Sequence, residues 1–462
     1  MERMFGGRWR HVLALLICAV AVPLLAGCGS SGSDSTSAGP SKVASGGKAS
    51  SEGCEQVTLN VLTGTGEGEE PFSPEVMKAW KASHPCTNVK FSYVPFGQLG
   101  EKITVLAASE SPPDIYSYDG PDTQTYAYEG IIQPMTEAIP TSYQEDLLPA
   151  DKEMLSYEGR LYSPGLGETV MGLFYNEDLL KKAGVTPPTS LDETWTWPEA
   201  LKAFEQCQQG PAGHPTVWGL APSELGNGTP GFSYRDLQFA RSAGDPNAPE
   251  ESSAYKTFYG LAPDGTTAEG WLNTPEAVKA DQFYQDLFNK DGVVSKAGIP
   301  NLFIDGKACF NMVPSWYMGA LEEAKVKFKW GVTGTPYFKT PIVHMGSTAL
   351  GVSSKTQHLE QADEFIMYIS SKKEQVRRLE DGYAGNWFPV LTSLYSSPQL
   401  QREPLKVFIQ ELEQWSQPRA LTPYYVQYDD AVTKALDNIA LGGNVEESLD
   451  NAVETFESSI QR

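Results

Sequence analysis

Short apolar segments alternate with helix-forming segments between residues 57 and 119, and this alternation constrains the fold more than any other feature of the sequence. Residues 57–62, 89–94 and 114–119 are typical of strands because they are short and rich in apolar, β-branched or aromatic side chains. Residues 74–83 and 102–109 lie between them and have the pattern of helices. Strands separated by helices pair in parallel as βαβ units. The sequence therefore predicts an α/β fold.

The length and composition of the chain allow a large buried core. The protein has 462 residues, of which 40% are hydrophobic and 11% aromatic, and this size suggests two domains rather than one. Its formal net charge of −23 argues against nucleic acid or an anionic membrane surface as the main partner, because both would repel an acidic protein. The plainer explanation of the charge is solubility.

The N-terminal segment has the pattern of a secretory signal. Three arginines precede an apolar run over residues 12–25, which is too short to span a membrane, and small residues follow. The sequence Leu-Ala-Gly-Cys ending at Cys28 resembles a bacterial lipobox, which implies a signal peptide over residues 1–27 and a lipid on the Cys28 sulfur. The alternative is a plain secretory signal with a chance cysteine. Residues 28–53 are rich in Ser and Gly and are expected to be a flexible tether to the outer face of the membrane.

Four of the six cysteines lie beyond the predicted signal and its lipobox. An even number of cysteines in an extracellular protein predicts two disulfides. Cys54 opens the first predicted strand and Cys86 the second, and because these strands should be neighbours, we expect Cys54 to pair with Cys86 and Cys207 with Cys309. A metal site is the alternative, but no Cys-x-x-Cys or His-x-x-x-His spacing supports one.

A tryptophan follows another predicted strand. Residues 308–313 form a short apolar run that Pro314 ends, and Trp316 comes next. We expect this position to lie at the edge of a sheet, where open α/β folds bind ligands. An indole there offers a flat apolar face that can stack on a sugar ring.

The segment around Trp316 resembles the F-x-x-G-K-x-A-M…G-x-W pattern of the extracellular solute-binding proteins, the maltose and oligosaccharide type that supplies ABC importers. Four other segments are similar to patterns of the same family, and together the five extend over nearly all of the mature chain. They are residues 112–135, 161–184, 381–390 and 419–425, the last resembling the R-P-x-T-P-Y-Y element of the trehalose and maltose branch.

The resemblance implies a two-lobed α/β fold, the type II fold of periplasmic binding proteins, with the ligand cleft between the lobes. Several hinge crossings would join the lobes, and closure would bury the ligand. We expect one lobe to comprise residues 54–163 and 340–392, and the other to comprise residues 164–339 and 393–462.

The candidate ligand-binding residues are polar or aromatic groups at strand ends, in loops or at the expected lobe crossings. They are Thr65, Gly66, Glu67, Tyr118, Asp119, Asp122, Glu168, Thr169, Tyr234, Trp316, Asn386, Trp387, Arg419 and Tyr424. Carboxylates such as Asp119 accept hydrogen bonds from sugar hydroxyls, and Arg419 can donate two parallel hydrogen bonds to vicinal hydroxyls. The resemblance implies that the loop after Thr65 touches the sugar.

Several of these residues have a structural alternative. The glycine-rich loop after Thr65 can simply be solvated, and Asp119 can cap the turn that follows it. Tyr234 is more typical of a core aromatic, and Arg419 can form a surface salt bridge. Trp387 departs from the small residue expected in the family, so it either adds a wall to the pocket or packs under the loop.

The patterns favour a lipid-anchored, monomeric protein at the extracellular face of the cell membrane. We expect it to deliver a di- or oligosaccharide, such as the α-glucosides trehalose or maltose, to an ABC permease. We expect no catalysis, cofactor or metal. The alternative is an extracellular glycosidase, which needs two carboxylates about 5 to 10 Å apart, such as a pair among Glu67, Asp119 and Glu168. No Gly-x-Ser-x-Gly or His-Glu-x-x-His motif is present. A third hypothesis keeps the fold but replaces the sugar by a polyol or a glycerophosphodiester.

Overall fold

A computed structural model describes residues 54–65, 72–212, 214–222, 238–381 and 387–460. The predicted signal peptide, Cys28 and the tether lie outside the described residues, as do four of the candidate ligand-binding residues. These four are Gly66, Glu67, Tyr234 and Asn386.

The strands form a main sheet and a small hairpin. In chain order they are β1 (Val57–Thr65), β2 (Thr87–Pro95), β3 (Ile115–Asp119), β4 (Ile132–Gln133), β5 (Ser156–Tyr157), β6 (Arg160–Leu161), β7 (Gly167–Asn176), β8 (Trp218–Ala221), β9 (Ala308–Pro314), β10 (Trp330–Thr333), β11 (Val343–Ser353) and β12 (Ser416–Gln417). The segments predicted as strands at 57–62, 89–94, 114–119 and 308–313 are confirmed.

The helices surround the main sheet. In chain order they are α1 (Pro74–Ser83), α2 (Leu99–Ala107), α3 (Thr123–Tyr128), α4 (Thr141–Asp146), α5 (Pro149–Met154), α6 (Glu177–Ala183), α7 (Trp197–Cys207), α8 (Ser253–Tyr259), α9 (Pro275–Asn289), α10 (Tyr317–Ala324), α11 (Leu359–Ser370), α12 (Lys372–Glu380), α13 (Leu405–Trp415), α14 (Tyr425–Leu441) and α15 (Val445–Ile460). No helix in these described segments is both long enough and apolar enough to cross a membrane.

Local sequence signals determine where several of the helices begin and end. The Asn176 side chain accepts a hydrogen bond from the Leu179 N–H at the start of α6, and Gly184 ends that helix in the left-handed conformation at φ 70°. Thr196 and Glu199 form a capping box at the start of α7. Helix α2 begins three residues before the predicted 102–109 segment, because a 3-10 turn over Phe96–Gln98 leads directly into it.

The main sheet has the strand order β2-β1-β3-β11-β7-β9-β8. Strand β1 pairs in parallel with β2 and β3, as the alternation of strands and helices predicts, whereas β11 runs antiparallel to both β3 and β7. The first half of β7 pairs with β11, and its second half pairs with β9 and β10. Strands β7 and β11 therefore carry the chain from one half of the sheet to the other.

The buried apolar side chains fall into two clusters, one on each half of the sheet. The β1 cluster contains residues from β1, β3 and the end of β11 with helices α1, α2 and α11, and includes Trp80 and Tyr116. The β9 cluster contains residues from β7, β8 and β9 with helices α7, α9, α14 and α15, and includes Trp197 and Phe310. Two separate cores are what a chain of this length needs. The predicted residue boundaries of the two lobes stay a prediction.

Both expected disulfides are present in the described residues. Cys54 is bonded to Cys86 with their Cα atoms 6.1 Å apart, where β1 and β2 begin side by side. Cys207 at the end of α7 is bonded to Cys309 in β9, with a Cα separation of 6.2 Å. The predicted pairing is confirmed, and each bond lies within one half of the molecule.

Candidate functional site

The end of β3 places an acidic group at the edge of the sheet. Asp119 is the last residue of β3, and Gly120 and Pro121 then turn the chain into α3. The Thr123 hydroxyl donates a 2.6 Å hydrogen bond to the Gly120 carbonyl, which fixes this turn. The Asp119 side chain makes no capping bond to the turn. The carboxylate is thus directed to a partner outside its own segment.

That partner is Arg419, which lies 300 residues further along the chain. Arg419 Nη2 donates a 2.6 Å hydrogen bond to Asp119 Oδ1, and Arg419 Nη1 donates a 3.1 Å hydrogen bond to the Tyr425 hydroxyl. The Tyr425 hydroxyl donates in turn to Asp429 at 3.4 Å. Arg419 is only 5% exposed. The guanidinium is therefore part of a buried polar network rather than a surface salt bridge.

These groups line a cavity of about 480 Å³. Its walls come from α2 and the turn before it, from the end of β3 and helix α3, and from the first turn of α14. Tyr118, Asp119, Asp122 and Arg419 are the predicted ligand-binding residues among its lining residues. The volume lies within the range of small-molecule sites. The structure thus brings together residues that the sequence places in three separate segments.

Burial and charge perturb the acidic groups of the cavity. Burial raises the pKa of Asp122 well above its ordinary value, and the nearby Asp119 raises it further, whereas Arg419 opposes both effects. Burial also raises the pKa of Glu129. For Arg419, burial is the largest single effect and acts to lower the pKa, but the charge and hydrogen bond of Asp119 together with Tyr425 and Asp429 outweigh it, so the net shift is upward and the guanidinium stays charged.

Strands β7 and β11, which cross between the two halves of the sheet, approach this network at Gly346. The Thr169 hydroxyl on β7 donates a 3.2 Å hydrogen bond to the Gly346 carbonyl on β11. A Cβ atom at Gly346 would lie 3.1 Å from Thr169 Oγ1, 3.3 Å from His344 Nε2 and 3.5 Å from Arg419 Nη2. Glycine therefore allows the guanidinium to approach the β11 backbone. Burial and then the Arg419 charge lower the pKa of His344, so this imidazole is neutral.

Trp316 lies near β7, one of the two strands that cross between the halves of the sheet. It follows β9 and immediately precedes α10, and the Ser315 N–H before it donates a 2.8 Å hydrogen bond to the Val170 carbonyl. Its ring is partly buried against the β9 cluster. Trp316 is not among the residues that line the cavity. Three inter-strand steps separate β3 from β9, or about 14 Å, and the strand registers offset Asp119 and Pro314 by a further four residues along β7, so Trp316 and Asp119 do not share one contact.

Two candidate residues are in the core instead. Glu168 is fully buried, and its backbone N–H and C=O form a bridge with Phe388 through two 2.8 Å hydrogen bonds. Trp387 is 3% exposed and packs within the β1 cluster, where its ring covers Gly167. This packing agrees with a structural role of the indole, and the choice between the two interpretations of Trp387 stays a prediction. Neither side chain lines the cavity, and any role of these two residues at a ligand stays a prediction.

The remaining described candidates, Thr65 and Tyr424, are not among the residues that line the cavity. Thr65 ends β1 and is exposed. The Tyr424 hydroxyl donates a 3.2 Å hydrogen bond to the Tyr128 hydroxyl, and the two ring centroids are 5.4 Å apart. This contact joins the start of α14 to the end of α3 beside the cavity. The site role of both candidates stays a prediction.

Sequence reasoning missed several residues that line the cavity. Asp122 directly precedes α3, Tyr126 lies in the helix four residues later, and Glu129 directly follows the helix three residues after that, which places all three on one side of this segment. Tyr425 and Asp429 have the same four-residue spacing on α14. This helical spacing is the signal that could have found them. Among the described residues, no group of three or more His, Cys, Asp or Glu side chains has the geometry to hold a metal ion.

Comparison with known sequences agrees with the family resemblance found in the sequence. Residues 75–407 match a family model described as bacterial extracellular solute-binding protein. The chain is 24% identical over 335 residues to the arabinooligosaccharide-binding protein of Bacillus subtilis, covering 67% of this chain and 68% of that protein. It is 24% identical over 341 residues to the multiple sugar-binding protein of Streptococcus mutans, covering 71% of this chain and 74% of that protein.

Solved structures with similar folds cover most of the chain. An ABC substrate-binding protein from Listeria monocytogenes, solved in complex with cycloalternan, has a TM-score of 0.72 at 18% identity and covers 88% of this chain and 100% of that one. The cyclic α-maltosyl-1,6-maltose binding protein from Arthrobacter globiformis has a TM-score of 0.69 at 21% identity and covers 88% and 99%. At these identities the likeness concerns the fold, and the expected two-lobed α/β fold is confirmed.

Proposed function

Because the chain belongs to the bacterial extracellular solute-binding proteins, we propose that it captures a di- or oligosaccharide outside the cell and delivers it to an ABC permease. The two lobes would close over the sugar, and the permease would recognise the closed form. Binding alone is sufficient for this role, so no residue is assigned a catalytic function.

The observation that carries the proposal is the buried network of Asp119, Arg419 and Tyr425 in the wall of a 480 Å³ cavity. A carboxylate and a guanidinium held in fixed orientation recognise hydroxyls well, because one accepts hydrogen bonds and the other donates them. A ligand that displaced part of this network without replacing its hydrogen bonds would leave buried groups unpaired, which costs about 1 to 3 kcal/mol for each group. The network therefore suits a polyhydroxylated ligand.

The position of Trp316 supports a ligand longer than one sugar ring. The strands that end near Asp119 and Trp316 lie three inter-strand steps apart, or about 14 Å, and the register adds an offset of four residues along β7. A ligand that hydrogen-bonds to Asp119 and stacks on the Trp316 indole would have to extend over this distance. The names of the relatives from Bacillus subtilis and Streptococcus mutans, which are sugar-binding proteins, agree with this class of ligand. Within the class, we propose an α-glucoside such as trehalose or maltose.

The N-terminal sequence supports a location at the outer face of the cell membrane. We propose that Cys28 carries the lipid anchor and that the Ser/Gly-rich segment after it acts as a tether. A relative in Streptomyces antibioticus, 21% identical over 328 residues, is named as a lipoprotein. The protein would act there as a monomer beside its permease.

A thermal-shift screen of the purified protein with mono-, di- and trisaccharides tests the proposal, provided that the same samples are analysed for sugar products. We expect at least one oligosaccharide to raise the melting temperature without being cleaved, because ligand binding to the native state stabilises it. A screen in which no sugar shifts the melting temperature would contradict the proposal. Release of a smaller sugar would instead support the glycosidase alternative.

A further inference from the structure

Phe96 is an exposed aromatic residue in the wall of the cavity. It directly follows β2 and begins the 3-10 turn that leads into α2. At 40% exposure it is the most exposed phenylalanine among the described residues, and it lines the same cavity as Asp119. Exposure of this side chain forgoes the free energy that burial of its apolar surface would provide. An exposed ring that lines a cavity is a surface that a bound molecule can cover.

The end of β1 fixes the position of the Phe96 ring. A Cβ atom at Gly64 would lie 3.2 Å from Phe96 Cδ2 and 3.6 Å from Phe96 Cα, so the ring rests against a glycine in the penultimate position of β1. A Cβ atom at Gly97, by contrast, would meet no described atom within 4 Å. The ring is therefore held against β1, while the space beside it in the cavity is open.

Phe96 and Asp119 reach the cavity from neighbouring strands. Strand β1 pairs with β3, and Gly64 and Tyr118 each lie two residues beyond the last pair of these two strands. Asp119 comes directly after Tyr118. Because neighbouring strands lie about 5 Å apart, a single sugar ring is large enough to contact both strand ends. The sugar unit that hydrogen-bonds to Asp119 is therefore the unit that can pack on Phe96.

The cavity wall contains further apolar side chains on either side of the site. Leu99 and Ile103 of α2 line it, and so does Val426 of α14, which is 50% exposed. Helix α14 packs with the β9 cluster, so Val426 and Phe96 belong to different halves of the molecule. Such side chains make no hydrogen bonds to hydroxyls, but they pack against the C–H groups on the face of a sugar ring. One sugar unit thus finds a polar network at Asp119 and an apolar surface next to it.

We propose that Phe96 is the stacking residue for the sugar unit that Asp119 and Arg419 bind. This inference rests on the sugar-binding function proposed above and assigns to that site an aromatic residue on the β1 side of the cleft. The ring packs against the C–H face of the sugar, and the network holds the hydroxyls at its edge. Trp316 lies in the other half of the sheet and contacts a different unit of the same oligosaccharide.

The test is a calorimetric titration of the unchanged protein and of Phe96→Leu with maltose, trehalose, cellobiose and arabinobiose, and with each sugar that the thermal-shift screen identifies. We expect Phe96→Leu to weaken the binding of every sugar that binds by threefold or more, because leucine has no flat face. Phe96→Tyr keeps the ring and should retain the affinity within twofold. Phe96→Met, which also lacks a ring, replaces Phe96→Leu if that variant does not fold.

The matched control is Tyr259→Leu, which removes an exposed aromatic ring from α8 outside this cavity. It should leave the affinity unchanged. A second readout separates stacking from a purely structural role, because the ring current of a stacked phenyl group moves the C–H proton resonances of the bound sugar upfield. We expect this shift to be smaller with Phe96→Leu than with the unchanged protein or Phe96→Tyr.

The outcomes separate this inference from the general function. If a sugar binds and Phe96→Leu weakens it by less than threefold, the inference is wrong and the sugar-binding function stands. An equal loss of affinity in Phe96→Tyr or in Tyr259→Leu would also overturn it, because the first keeps the ring and the second lies outside the cavity. If no sugar of the titrations or of the wider screen binds to the unchanged protein, the proposed function fails and the inference fails with it.

Discussion

Buried carboxyl groups contribute to the pH dependence of stability, and Glu411 is one of them. It lies on α13 with no solvent exposure and accepts a 2.7 Å hydrogen bond from the Thr335 N–H. Burial raises its pKa to about 8, although the hydrogen bonds from Thr335 oppose the rise. The group therefore binds a proton more tightly in the folded protein than in the unfolded chain.

Replacing Glu411 by Gln should remove one component of the pH dependence of stability. Between its ordinary pKa of 4.5 and the folded value of about 8, the folded protein carries the extra proton, so the free energy of unfolding falls as pH rises through this window. The fall is at most about 1.4 kcal/mol per pH unit for one group. Chemical unfolding at pH 5 to 9 should show a flatter curve for Glu411→Gln than for the unchanged protein.

The control is Glu413→Gln, two residues away on an exposed position of the same helix. It should keep the slope of the unchanged protein. Equal slopes for all three proteins would show that Glu411 does not hold its proton at neutral pH.

At the scale of elements, strand β9 and helix α10 present Trp316 beside the crossing strand β7. We expect Trp316→Ala to weaken sugar binding by about 1 to 3 kcal/mol, the range for losing a buried aromatic contact. Trp316→Phe keeps an aromatic face and should retain most of the affinity. Calorimetry with the best sugar of the screen measures both, and an unchanged affinity in the alanine variant would remove Trp316 from the site.

The elements were largely predictable from the sequence because their signals are local. Proline in the first turn marks α1, α7 and α9, and the apolar runs that became β1, β3 and β9 need no information from distant residues. Positions within the crossing strand β7 were not predictable. Nearly every residue of β7 is buried, so alternation does not say which side chains reach a ligand. Glu168 was for this reason proposed to lie near the ligand; the structure buries its side chain, and its role at a ligand stays a prediction.

The candidate site was predictable only in part, for a related reason. The position of Asp119 at a strand end follows from its own segment, but its bond to Arg419 joins residues 300 positions apart. No local pattern contains that pairing. The resemblance to a family brought the two residues into one hypothesis, whereas the acidic character of the whole cavity emerged only from the packing of α2, α3 and α14.

At the scale of the whole molecule, two cores are connected by β7 and β11, and each disulfide lies within one half. Neither of these bonds links the two halves, so neither would prevent lobe closure. The Asp119–Arg419 pair and the Tyr425 N–H bond to Thr125 Oγ1 do connect the two halves, because α3 packs with the β1 cluster and α14 with the β9 cluster. Closure of the two lobes would therefore change the contacts between residues that line the cavity.

Removing the disulfides should lower stability by different amounts. Cys207 and Cys309 are separated by 102 residues and Cys54 and Cys86 by 32, and a longer closed loop restricts the unfolded chain more. We expect the Cys207→Ser, Cys309→Ser double variant to lose about 2 to 5 kcal/mol, and more than the corresponding Cys54, Cys86 variant. Chemical unfolding of the two double variants measures the difference, and a larger loss from the shorter loop would contradict the argument.

Sugar binding through the Asp119–Arg419 network is tested most directly by a calorimetric titration of the unchanged protein and of Asp119→Asn with the best sugar of the screen. We expect one saturable site in the unchanged protein and an affinity at least tenfold weaker in the variant, because the amide cannot replace a charged hydrogen-bond acceptor. Identical affinities in the two proteins, or no saturable heat with any sugar, would contradict the account.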